Sequence, residues 1–395
     1  MHIRLKITFY LLIILASISP PSIFSEIDLG REMRLLFGII ITIFLFFESS
    51  KFQTKDFIVL LLLVLIILVE VMFQRSSINN ILSSYAVIFI SFLLFRVSRL
   101  NKLNGETFLN LWSSSTLPIA ILAIISFVIH QFSSFNADFL NFSSSNLFNP
   151  EYNYRMSIFG FTMYKDFGFV GVTRVCSFFN EPQYAGMFFA FNMLLIKNKI
   201  KSISKKYFVI NLLAGLLTFS VTFYLAFFVL TIFSMKQKNI RILFFSLLII
   251  FVYYVFISDV SINRLMKGTS FSDRIDRNMF ALDYLMNKAS ILNILFGHGI
   301  GNYQLVNEDE LGRGLSAGFL YLMIESGCAS ILFYIFLVSL LTNNNRIVIL
   351  IAMLYMLAIP WHKYYFCWYV IILCGLNYVN SFHHKNTDNK NGFLN

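Results

Sequence analysis

The chain has 395 residues, of which 57% are hydrophobic, 17% aromatic and only 13% charged, and its net charge is +11. Soluble domains carry about 25% charged residues, so this composition excludes an ordinary soluble enzyme and predicts an integral membrane protein with many spans. The positive charge does not read as a nucleic-acid surface, because the basic residues fall in short gaps between apolar runs, where membrane topology is written.

Segments able to cross about 30 Å of hydrocarbon are expected in the N-terminal region 1–130 near 5–24, 33–47, 57–73, 78–95 and 108–130. The opening "MHIRLKITFYLLIILASISPPSIFS" has features of a signal peptide. The Pro20-Pro21 pair and the lack of a soluble mature domain favour a retained, kinked helix instead. After loop 131–179, the region 180–258 holds runs at 180–196, 207–219, 221–235 and 242–258. The stretch 207–235 has basic residues at both ends, Lys197 to Lys206 and then "KQKNIR". Both ends therefore lie on one side, which predicts a hairpin of two short spans. Its turn is expected near Thr218–Thr222, where hydroxyls bond freed backbone groups. Beyond loop 259–315, the region 316–380 supplies runs at 316–341, 347–360 and 364–380, before a polar tail at 381–395.

Twelve spans put both termini on one side. With that side cytoplasmic, the inner segments carry 18 Lys and Arg residues, and the short outer turns carry 4. The long loops escape this rule, so N-in, C-in is expected, with 131–179 and 259–315 outside. The four cysteines show no metal-ligand spacing or disulfide framework and read as small apolar packing residues.

The polar chemistry concentrates in the two outer loops. Loop 131–179 is dense in Ser, Asn and aromatic residues, which suits sugar recognition and equally suits an interfacial aromatic belt. In loop 259–315, Ile275, Met279, Leu282, Leu285 and Met286 recur at helical spacing and predict an amphipathic helix at the membrane surface. Arg274 and Arg277 lie on its neighbouring polar face. Their guanidinium forks suit phosphate oxygens, and they also suit pairing with Asp273 and Asp276 on a solvated face. "FGHGIGNYQ" lacks the spacing and the preceding strand of a nucleotide loop. Its glycines predict a tight, flexible turn, with His298 a loop residue. Glu325, ten residues into an apolar run, is the clearest intramembrane charge and so a functional candidate. It is expected to brace the outer-loop arginines or to bond nearby helix backbone.

Four stretches, "RVCSFFNEPQYAG" (174–186), "TFSVT" (218–222), "LFGHGIGNY" (295–303) and "SAGFLYLMIESG" (316–327), follow the order seen in the O-antigen polymerase and O-antigen ligase superfamily, which the chain resembles. The first 130 residues resemble it only in hydropathy. The resemblance implies an all-α, GT-C-like membrane glycosyltransferase. Such an enzyme transfers a glycan from a polyprenyl diphosphate carrier at the outer face of the cytoplasmic membrane, without metal or nucleotide sugar. It implies undecaprenyl-diphosphate-linked oligosaccharides as substrates, and flippase and chain-length regulator proteins as partners. Two departures matter. Val221 stands where many members have an arginine, and Ser316 and Ala317 stand where ligases show His-Asn. The missing histidine favours a polymerase over a ligase. A polysaccharide flippase would instead carry charge within many spans.

The stretch around Glu181 and Pro182 supports two readings. Pro182 at the first helical position and Glu181 at the positive end of the helix dipole simply start a helix. The same geometry presents Glu181 as a general base for an acceptor hydroxyl. Arg174, with Arg274 and Arg277, is then expected to stabilise the charge on the departing diphosphate.

Overall fold

The computed structural model describes residues 3–20, 22, 28–48, 54–73, 78–100, 102–132, 154–156, 162–164, 174–179, 181–197, 205–234, 278–299 and 318–376. They are mostly helical. The N-terminal part folds into α1 (Ile3–Ile18), α2 (Asp28–Glu48), α3 (Thr54–Phe73), α4 (Ile78–Leu100) and α5 (Lys102–Phe132). Three short strands follow, β1 (Tyr154–Met156), β2 (Thr162–Tyr164) and β3 (Arg174–Ser177), then α6 (Pro182–Lys197), α7 (Lys205–Leu216) and α8 (Val221–Ser234). The C-terminal part comprises α9 (278–283), which runs into a π-turn at Tyr284–Lys288, then α10 (Ile291–Phe296) and α11 (Gly318–Leu341). It closes with α12 (Arg346–Ala358), a 3-10 turn at Trp361–Lys363, and α13 (Tyr365–Leu376).

Each expected apolar run that falls among the described residues is helical; the run 242–258 lies outside them. Two stretches, Gly105–Ile129 and Gly318–Leu341, are long and apolar enough to cross a membrane. The expected hairpin is present as α7 and α8, joined by a turn at 217–220. Within that turn the Thr218 hydroxyl donates to Gly215 O (2.6 Å) and accepts from Ser220 N (3.3 Å).

One expectation needs correction. The first helix does not kink through Pro20-Pro21 but stops at Ile18. Ser19 precedes a proline, whose ring pushes the preceding residue out of the helical region. Ser22 N then donates to Ser19 O (3.1 Å), and Ser22 makes an antiparallel bridge with Phe179. The mostly helical fold agrees with the expected all-α class and carries one small sheet. The three strands form an antiparallel sheet in the order β1-β2-β3, with Tyr154 opposite Tyr164 and Tyr164 opposite Arg174.

The core centres on α6, whose residues from Ala185 to Leu195 are buried. Trp112 Nε1 on α5 donates to Asn192 Oδ1 on α6 (2.9 Å), and Thr116 on α5 shares a hydrogen bond with Tyr207 on α7 (2.7 Å). Buried amides and hydroxyls are costly unless paired, so these bonds fix which helix faces meet. Phe179, Phe188 and Phe366 lie 5.3–5.6 Å apart between centroids, which seats the start of α6 against the start of α13. Such ring pairs each add about 0.5–1.5 kcal/mol beyond their burial. At the other end of the helices Arg96 on α4 forms an ion pair with Asp56 on α3. The outward faces of α2 and α3 are apolar, with Leu35, Ile39, Phe47, Phe57, Leu61 and Met72 exposed.

Candidate functional site

Two breaks in helical backbone organise the polar residues. The first is the α7–α8 turn, where Phe219 adopts a left-handed φ of 47°. Val175 N, on β3, donates to Leu217 O (3.1 Å). The Arg174 guanidinium donates through Nε to Thr218 O (3.0 Å) and through Nη2 to Phe219 O (3.1 Å). Arg174 thus caps the carbonyl end of α7, where a cation also suits the helix dipole. A guanidinium has five N–H donors, and Arg174 gives two of them to the turn.

Glu181 lies on the same connector, immediately before α6. Its backbone carbonyl accepts from Tyr184 N (3.2 Å) and Ala185 N (3.4 Å), so the helix starts at Pro182 as the sequence predicts. Its half-buried carboxylate accepts from Gln183 Nε2. One turn into α6, Tyr184 packs edge-on against Tyr364 (centroids 5.5 Å).

The second break lies inside α11, at Gly327 (φ 69°, ψ 178°). The carbonyls just before it, of Ile324 and Glu325, accept from His298 N (2.7 Å) and Gly299 N (2.8 Å). The segment 297–299 is therefore docked on α11, a correction to the flexible turn expected from its glycines. Gly297 (φ 80°, ψ −171°) and Gly327 cross closely: a Cβ on either would lie 2.2 Å from a carbonyl oxygen of the other segment. Only glycine fits there. His298 Nε2 bonds the Tyr284 hydroxyl and lies 3.2 Å from Asn293 Nδ2. With the amide nitrogen as donor, Nε2 is the acceptor, an arrangement that favours the neutral imidazole. Burial acts in the same direction, lowering the His298 pKa below its ordinary value, and it raises that of Tyr284.

Glu325 is 1% exposed and forms an ion pair with Lys363 (2.7 Å) in the 3-10 turn before α13. Lys363 also donates to the Tyr321 hydroxyl (3.0 Å) and sits 4.2 Å from that ring's centroid. Tyr321 and Glu325 are four residues apart on α11 and so share a helix face. Two indoles hold the turn: Trp361 Nε1 donates to Ala352 O and Trp368 Nε1 to His362 O, each at 2.7 Å.

The expected site residues are thus placed unequally. Arg174 joins the hairpin turn and Glu181 caps α6, while Glu325 takes Lys363 as its described cation rather than an outer-loop arginine. Arg274 and Arg277 lie outside the described residues. The expected amphipathic helix is present in part as α9. It ends in the π-turn at Tyr284–Lys288 and does not bury one continuous apolar face. Ala281 and Leu285 pack on Leu320 and Ile324 of α11, whereas Met279, Leu282 and Met286 are exposed. Lys363 was not expected from the sequence. The signal for it lay in Glu325 itself, since a carboxylate deep in an apolar helix needs a cation, and the short connector before α13 supplies one.

No family model, curated protein or solved structure matches the chain.

Proposed function

We propose that the chain is a polysaccharide repeat-unit polymerase of the cytoplasmic membrane, with twelve spans, both termini inside and its site at the outer face. It moves a growing glycan from its polyprenyl diphosphate carrier onto the next lipid-linked repeat unit. The observation that carries this reading is the pairing of the four stretches that resemble the polymerase and ligase superfamily. Stretch 174–186 bonds the turn within 218–222, and the start of 295–303 bonds the end of 316–327. Tyr184 and Tyr364, with Lys363 beside Tyr364 bonded to Glu325, link one couple to the other. All these residues fall on the outer side of the proposed topology. The apolar outward faces of α2 and α3 also fit lipid contact, since monomeric soluble proteins rarely expose such surfaces.

In the reaction, an acceptor hydroxyl attacks the anomeric carbon of the donor glycan. The C–O bond to the diphosphate breaks, and the diphosphate leaves with the bonding electrons. Glu181 takes the hydroxyl proton. Arg174, with Arg274 and Arg277 of the outer loop, stabilises the charge that grows on the leaving group. Glu325 anchors Lys363 of the polar cluster.

The test is deletion of the gene in its own host. The expected result is single repeat units on the carrier or its acceptor, with no ladder of longer chains. Long lipid-linked polymer that accumulates unattached would identify a ligase instead, and an unchanged ladder would refute both.

A further inference from the structure

We propose that Lys363 is a binding residue for the diphosphate of the lipid-linked donor, held in place by Glu325 and Tyr321. This inference rests on the function proposed above. Its ammonium group has three donors. One bonds Glu325 Oε2 (2.7 Å) and one the Tyr321 hydroxyl (3.0 Å), and no described residue takes the third.

Burial of the pair is asymmetric. The glutamate side chain is 1% exposed and the lysine side chain 23%, so the carboxylate is enclosed by the protein while the lysine stays partly exposed. A long flexible side chain is costly to immobilise, yet this one is fixed by a salt bridge, a hydroxyl and a ring 4.2 Å away. Such preorganisation suits a site for a charged ligand.

Its surroundings suit a diphosphate. Lys363 directly precedes Tyr364, whose ring packs edge-on against Tyr184 one turn after Glu181. Arg174, the other described cation in this region, already gives two donors to the hairpin turn. Lys363 therefore supplies a second positive charge, next in sequence to the Tyr364 ring that packs on Tyr184. A diphosphate presents several oxygens to such donors at once.

The experiment uses the full-length protein in nanodiscs, titrated with farnesyl diphosphate as a short prenyl diphosphate and with farnesol as the control. Lys363→Met alone strands a buried carboxylate, so the decisive variant is Lys363→Met with Glu325→Gln, which removes both charges together. Glu325→Gln alone leaves the cation without its counter-charge. The wild type should prefer the diphosphate. Glu325→Gln should bind it at least as tightly, and the double variant about tenfold or more weakly, the scale of one charge-assisted hydrogen bond. A purely structural pair would make those two variants behave alike. Equal affinity of the double variant and the wild type overturns the role of Lys363 and leaves the polymerase reading standing. A wild type with no preference for the diphosphate over farnesol overturns both.

Discussion

Gly327→Ala tests whether the break in α11 holds the 297–299 segment. At φ 69° and ψ 178° the backbone occupies a region that is nearly glycine-only, and placing alanine there costs about 1–3 kcal/mol. The new methyl would sit 2.2 Å from Leu295 O, a backbone atom that cannot swing aside. The segment must lift, and the bonds from His298 N and Gly299 N to the α11 carbonyls are lost at about 1 kcal/mol each. The expected loss of docking is therefore about 3–5 kcal/mol, enough to undock the segment. Hydrogen exchange on the purified protein should show the His298 and Gly299 amides at the rate of an open loop. The neighbouring Ser326→Ala, in helical backbone, should keep them protected. Wild-type protection in Gly327→Ala would refute the reasoning, because it would mean that neither the strain nor the overlap governs docking.

Glu181→Gln preserves the size of the side chain and the backbone bonds that start α6, so membrane abundance should stay normal while chain length collapses on a glycan gel. Normal chain length in that variant would reduce Glu181 to a helix-start residue and make Glu325 the next candidate base. Arg174→Ala should cut turnover by about 10²-fold or more, on the scale of losing one oxyanion-type donor, and Arg174→Lys should rescue it only in part because an ammonium lacks the planar fork. A fall in protein level alone would mark Arg174 as structural. His298 should give the docked segment a pH dependence. Its pKa is lowered on docking, so docking is fully supported above the ordinary imidazole value of about 6.5 and weakens as pH falls through the lowered one. Exchange at Gly299 should rise on acidification, and His298→Asn should flatten that response. Reporter fusions after residues 160 and 290 should be active outside, and those after 202 and 238 inside; an inside signal at 290 would remove the proposed site.

Much of the helical layout was legible because apolar run length and basic flanks are strong local signals. The α7–α8 hairpin illustrates this: lysines at both ends of one long apolar stretch required a turn, and Thr218 and Ser220 supplied the groups to satisfy it. Pro182 fixed the start of α6 for an equally local reason. What could not be read depended on contacts between distant segments. The docking of "GHG" on α11 joins residues about 26 apart through backbone atoms, which leave no side-chain pattern. The pairing of Glu325 with Lys363 joins positions 38 apart. Only the need of a buried carboxylate for a cation pointed toward it. The three strands were hidden because each is only three or four residues long, too short to display an alternating pattern.

The two helix breaks have a common logic that bears on how charge variants should be interpreted. In a bilayer, backbone that leaves the helical ladder must find partners inside the protein. At the α7–α8 turn those partners include the Arg174 guanidinium and Val175 N; at the α11 break they are the amides of His298 and Gly299. The stretches that resemble the superfamily thus occur as donor and acceptor couples, and each couple opens backbone beside a charged side chain. Arg174 serves both purposes at once, so its loss removes a cation and a cap together. The Lys363 ammonium, by contrast, bonds only side chains in the described structure. Charge removal at Lys363, made together with Glu325→Gln, therefore separates electrostatics from folding more cleanly than any change at Arg174.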